Sequence, residues 1–106
     1  MFKRKYRLPA NFRLQKASLV STPLFSVKIG KNRMEHNRYG IVVSKRIDKR
    51  ASARNKIKRI LRRFLEENHD IIPQGNDILV IAKPAIVGVS GEKLHEQMGI
   101  ALKKNT

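Results

Sequence analysis

The chain has 106 residues, with 24 Lys and Arg against 8 Asp and Glu, a net charge of +16 and no cysteine. That length supports one compact domain rather than two, so residues 1–106 are read as a single domain. The charge calls for a polyanionic partner, and the missing cysteines exclude disulfides and thiolate-held metal.

In chain order, Met1 to Arg7 reads as a mobile basic tail. It lacks the apolar core of a signal peptide, and no run approaches the ~18 apolar residues of a bilayer span, so a soluble, cytoplasmic protein is expected. A short helix is predicted around Asn11, Phe12 and Leu14, followed by Ser18 to Pro23 with no assigned element. Leu24 to Ile29 alternates, setting Phe25, Val27 and Ile29 opposite Ser26 and Lys28, and predicts a half-buried strand. Tyr39 to Ser44 (YGIVVS) is a continuous apolar run, which predicts an interior strand covered on both faces. The turn residues Pro73, Gly75 and Asn76 lead into a third strand, Asp77 to Ala82, which Pro84 ends. Ser90 can cap a last helix in which Leu94, Met98, Ala101 and Leu102 share a face. The order predicts an α+β sandwich with helices packed on a small sheet.

The densest signal is Arg54 to Phe64 (RNKIKRILRRF), with six cations and four large apolar residues. At about 100° per helical residue, Arg54, Lys58, Arg62, Asn55, Arg59, Arg63 and Lys56 fan from about 0° to 200°. Ile60, Phe64, Ile57, Leu61 and Leu65 fill the remaining arc. One side is therefore built for a core and the other for an anion. Lys45, Arg46, Lys49 and Arg50 precede this helix, so ten cations crowd into Lys45 to Arg63 with Asp48 the one acid among them. An ordinary solvated face mixes signs and forms i,i+4 ion pairs. A basic amphipathic helix can also lie on anionic lipid, but here the apolar arc is needed to cover the sheet. Asn55, which both donates and accepts, suits an RNA 2′-hydroxyl or base edge.

The run RYGIVVSKRIDKRASARNKIKRILRRF resembles the core of the bacterial ribonuclease P protein family. The matching features are a strand ending in V-S-K (Val43, Ser44, Lys45), a short basic loop and an R-N-x-x-K-R-x-x-R helix. In that helix the signature falls on Arg54, Asn55, Lys58, Arg59 and Arg62. DILVIAKP resembles the family strand ending in a basic residue and proline, here Lys83 and Pro84. The resemblance runs from about Tyr6 to Lys103 and weakens at Gln15 to Pro23, which is shorter than the family pattern and lacks its second aromatic and glycine turn.

The resemblance implies an αβββαβα two-layer sandwich with a left-handed β-α-β crossover, as in a ribosomal protein domain. It also implies a protein subunit that binds ribonuclease P RNA and the 5′ leader of precursor tRNA, while the RNA subunit and its Mg²⁺ cut the phosphodiester. The Mg²⁺ would be bound mainly by RNA and substrate, with no membrane or obligate protein partner. The implied RNA-binding set is Lys45, Arg46, Arg50, Arg54, Asn55, Lys58, Arg59, Arg62 and Arg63. Phe12, Phe25 and Lys28 are the candidates for the leader cleft, where ring stacking would hold bases of any sequence.

Other signals are weaker. His95 and Glu96 start a zinc-protease pattern, but Gly99 stands where its second histidine is required. His36, His69 and His95 are read as surface residues. Gly88 to Gly91 spells G-x-x-G without a preceding helix and is read as a loop. No nucleophile, general base or carboxylate pair stands out, so no catalytic or metal residue is assigned. A general RNA-binding or ribosomal protein shares the charge and is the alternative. A DNA-binding domain fits the basic helix but lacks a helix-turn-helix partner.

Overall fold

The computed structural model describes residues 6–8 and 18–103. Four strands, β1 (Ser18–Ser21), β2 (Phe25–Lys31), β3 (Arg38–Val42) and β4 (Asn76–Ala82), form one sheet in the order β1-β2-β4-β3. Helix α1 (Ala51–Glu67) joins β3 to β4, and α2 (Gly91–Lys103) follows a short 3-10 turn at Pro84–Ile86. β1, β2 and β4 pair antiparallel, whereas β3 and β4 are parallel neighbours connected through α1. This is the α+β architecture expected from the pattern. The helix predicted around Phe12 lies outside the described residues.

Register explains the core. Val20, Val27, Val80 and Ile41 form one row across the sheet, and Ile29, Ile78 and Tyr39 form the next. These rows share the face that carries α1 and α2, where Ile57, Leu61, Phe64, Leu65, Leu94, Met98 and Ala101 are buried. Period-2 alternation in the strands and a helical stripe in each helix meet at one interface. Burying each large side chain there is worth roughly 1.5 to 3 kcal/mol, which offsets the repulsion among neighbouring cations on α1.

Two strand expectations are corrected. No element was assigned to Ser18–Ser21, yet β1 forms there and pairs with β2 from Ser18↔Ile29 to Ser21↔Ser26. Its turn uses threonine in place of glycine. Thr22 Oγ1 accepts from Leu24 N (3.2 Å) and Phe25 N (3.1 Å) and donates to Phe25 O (2.9 Å). β3 was expected to be interior and covered on both faces, but it is the outer strand of the four-stranded ladder, and Val42 is 43% exposed. The apolar run reflects Tyr39 and Val43, which are buried, and not a second covered face.

The end of the sheet nearest Asp77 is polar and fully paired. Arg38 Nε and Nη2 each donate to Asp77 at 2.8 Å, and Asn32 Nδ2 donates to Asp77 Oδ1 at 3.0 Å. These bonds hold the Arg38 guanidinium above its ordinary pKa. Buried Asn37 donates to the Tyr39 hydroxyl (3.0 Å) and accepts from Asn76 N (2.8 Å). Gly75 turns the chain into β4 at φ +86°, a conformation that favours glycine.

Ser90 begins α2 as its sequence suggested, with Ser90 Oγ accepting from Lys93 N at 3.2 Å. We expect Ser90→Ala to lower stability by about 1 kcal/mol in denaturant unfolding, the usual cost of a lost N-cap.

Candidate nucleic-acid interface

The basic surface is built by the burial of the opposite side of α1. Ile57, Leu61, Phe64 and Leu65 face the core, which forces the cations outward in two rows. Asn55, Lys56, Arg59 and Arg63 are exposed along the crest, and Arg54, Lys58 and Arg62 are half-buried along the flank. None of the six helix cations is buried in the core. The apolar and cationic arcs drawn from the 100° periodicity are the ones observed.

The preceding loop is organised by its single acid. Asp48 accepts from Arg50 N (2.9 Å), Nε (3.2 Å) and Nη2 (3.0 Å). The Arg50 guanidinium, more than any other group, lowers the Asp48 pKa to about 2, so the carboxylate stays ionised. Arg54 Nη1 donates to Asp48 O and Lys49 O, both at 2.9 Å, and so ties the first helical turn to the loop. Lys45 and Arg46 sit exposed in the resulting turn. The predicted set therefore divides by role. Arg50 and Arg54 shape the loop, Arg63 shares an exposed i,i+4 pair with Glu67 (3.0 Å), and Lys45, Arg46, Lys58, Arg59 and Arg62 make no ion pair among the described residues.

The leader-cleft candidates separate. Lys28 is exposed on the sheet face opposite the helices, in register between Leu19 and Leu79. Phe25 is a correction. Its side chain is 0% exposed and lies in the core under the helices, so it has no face to offer a base. The same alternation that set Phe25 against Lys28 assigned them to opposite faces, and burial decides which face each occupies. Phe12 lies outside the described residues.

The histidines are also corrected, since all three are half-buried rather than surface residues. His69 Nδ1 lies 2.9 Å from the Tyr39 hydroxyl. His95 packs edge-on against Phe64, with ring centroids 5.3 Å apart, and its Nε2 lies 3.3 Å from Ile60 O. Imidazole has an apolar body and a polar edge, which suits such seams. Tyr6 and Arg7 were assigned to a mobile tail, yet Tyr6 packs on His36 and His69 and Arg7 bridges to Tyr39. No sequence periodicity could have shown these contacts, because three residues are too few to carry one.

Residues 2–106 match the family model described as Ribonuclease P. The chain belongs to the ribonuclease P protein family. It is 33% identical over 112 residues to the ribonuclease P protein component of Histophilus somni, covering 98% of this chain and 90% of that protein. It is 38% identical over 87 residues to that of Desulfosudis oleivorans, covering 82% and 71%. Among solved structures, the Staphylococcus aureus RNase P protein superposes with a TM-score of 0.85 at 30% identity, covering 95% of both chains. The Thermotoga maritima RNase P protein gives 0.78 at 31% identity, covering 85% of this chain and 84% of that one. The basic helix thus belongs to a protein subunit of ribonuclease P, which acts in tRNA processing.

Proposed function

We propose that α1 and the Lys45–Arg50 loop bind the catalytic RNA of ribonuclease P, and that the sheet face bearing Lys28 receives the 5′ leader of precursor tRNA. The observation that carries this reading is the cationic side of α1, on which no acid occurs from Ala51 to Leu65 and only its last cation, Arg63, is ion-paired, with Glu67, among the described residues. Phosphate neutralisation supplies the affinity, and the fixed spacing of side chains on a packed helix supplies the register. Exposed Lys28 adds a charge beside the half-buried apolar residues Leu79 and Ile81.

Cutting of the phosphodiester is assigned to the RNA subunit with Mg²⁺. The donor set on this protein's basic face does not fit a protein-held Mg²⁺, which takes carboxylates and other hard oxygens. The one carboxylate in the loop, Asp48, is engaged by Arg50. Mg²⁺ is therefore assigned mainly to RNA and substrate, where phosphates abound. The cytoplasm, where tRNA is processed in bacteria, is the assigned compartment.

The test is cleavage of precursor tRNA by a bacterial ribonuclease P RNA at low Mg²⁺. Adding this chain should restore cleavage that the RNA alone cannot sustain. No rescue, together with binding to that RNA no tighter than to an unrelated structured RNA, would reject the proposal in favour of a general RNA-binding protein.

A further inference from the structure

Residues 6–8 run along the outer edge of β3 and are pinned at both ends. Leu8 N donates to Tyr39 O at 2.9 Å, and Arg7 forms a parallel bridge with Tyr39. The Leu8 side chain lies over Gly40, where an added Cβ would come within 3.2 Å of Leu8 Cδ1 and 3.0 Å of Leu79 Cδ1. Glycine at this position is what lets the segment approach so closely. At the other end the Tyr6 ring is clasped by two imidazoles, 5.3 Å from His36 and 4.7 Å from His69 between ring centroids. His69 is itself held by the Tyr39 hydroxyl at 2.9 Å.

Arg7 sits between these anchors with an exposed side chain, facing the flank of α1. A cavity of about 160 Å³ opens there, with Arg7 and Arg62 in its wall and Gly40, Ile41 and Leu65 beneath. Among the described residues no carboxylate lines it. Two arginines lining one cavity with a partly apolar floor offer donors that suit the oxygens of a phosphate group. A lone exposed arginine would hold little, because side-chain entropy and salt oppose it. Pinning the segment on both sides fixes the Arg7 backbone, so only the side chain remains to be ordered on binding.

We infer that Arg7 and Arg62 form one seat for a single RNA phosphate at the outer edge of β3, and that the Tyr6 clasp is what positions Arg7. The inference rests on the RNA-binding role proposed above and adds to the helix a residue distant in sequence. The phosphate can come from ribonuclease P RNA or from the precursor tRNA leader, and the two are separated by experiment.

In one arm, binding of the full chain to ribonuclease P RNA is followed across a salt series. In the other, the reconstituted holoenzyme binds precursor tRNA with and without its leader. In whichever arm supplies the phosphate, Arg7→Ala and Arg62→Ala should each weaken binding roughly tenfold, as loss of a charge-assisted bond does. Each should also flatten the salt slope by about 0.7 to 0.9. The double variant should lose only a few-fold more than either single one, because the same phosphate is involved. Arg7→Lys should keep most of the slope. Tyr6→Ala should mimic Arg7→Ala and add nothing in an Arg7→Ala background.

An Arg7→Ala variant that binds like the parent in both arms would overturn the seat, as would a double variant about a hundredfold weaker than the parent. A Tyr6→Ala loss that persists in full in the Arg7→Ala background would overturn the clasp. If the parent chain itself shows no preference for ribonuclease P RNA, it is the functional reading that fails. If the parent shows that preference and Arg7→Ala is silent, the seat alone fails.

Discussion

Replacing Lys58, Arg59 and Arg62 together by alanine is expected to weaken binding to ribonuclease P RNA by about two to three decades at 0.1 M salt. The size follows from counterion release. Each phosphate contact contributes a slope of about 0.7 to 0.9 in log K against log salt, so three contacts contribute roughly 2 to 3. Between 1 M salt, where screening removes most of the effect, and 0.1 M, that slope amounts to the stated loss. The fold should survive, because Arg59 is exposed, Lys58 and Arg62 are half-buried, and alanine is the best helix former. Filter binding from 0.1 to 1 M salt checks the outcome. A parallel downward shift with no change of slope would mean that these side chains do not meet phosphates.

Leu61→Ala should do the opposite, destabilising the domain by about 2 to 5 kcal/mol while leaving the cationic surface intact. Leu61 is 0% exposed and lies between Ile57 and Leu65 in the stripe that meets the sheet. Truncation leaves a cavity that the parallel β3–α1–β4 unit cannot close, since both strands are held by their ladder. For a domain of this size each kcal/mol moves the melting temperature by roughly 4 to 8 °C, so a fall of ten degrees or more is expected. Ile57→Ala and Phe64→Ala belong to the same class. Thermal unfolding followed by circular dichroism decides it, and a Leu61→Ala variant that melts with the parent would contradict the assignment of faces.

The two experiments probe the two sides of one helix, and that division was legible in the residues. Seventeen residues of α1 hold several turns, so a 3.6-residue period separates a stripe from its complement without knowledge of any partner. The strand alternation of Phe25, Val27 and Ile29 was equally plain. Short elements carry less information. β1 has four residues and its turn is a threonine hydrogen-bond network, so neither periodicity nor glycine marks it. Phe25 shows the limit of alternation, which separates two faces without saying which of them packs against the helices.

The sequence by itself determined the helix with its two chemistries, the charge that requires a polyanion and the family to which the chain belongs, because each is written in local spacing or in a contiguous motif. Tertiary structure alone decided that Phe25 is core and Lys28 is not, that β3 lies at the outside of the ladder, and that Arg54 ties the loop while Arg62 lines one cavity with Arg7. Those facts join residues up to 55 positions apart. Contacts at such separation depend on how the sheet orders its strands, and no local pattern of residues encodes that order.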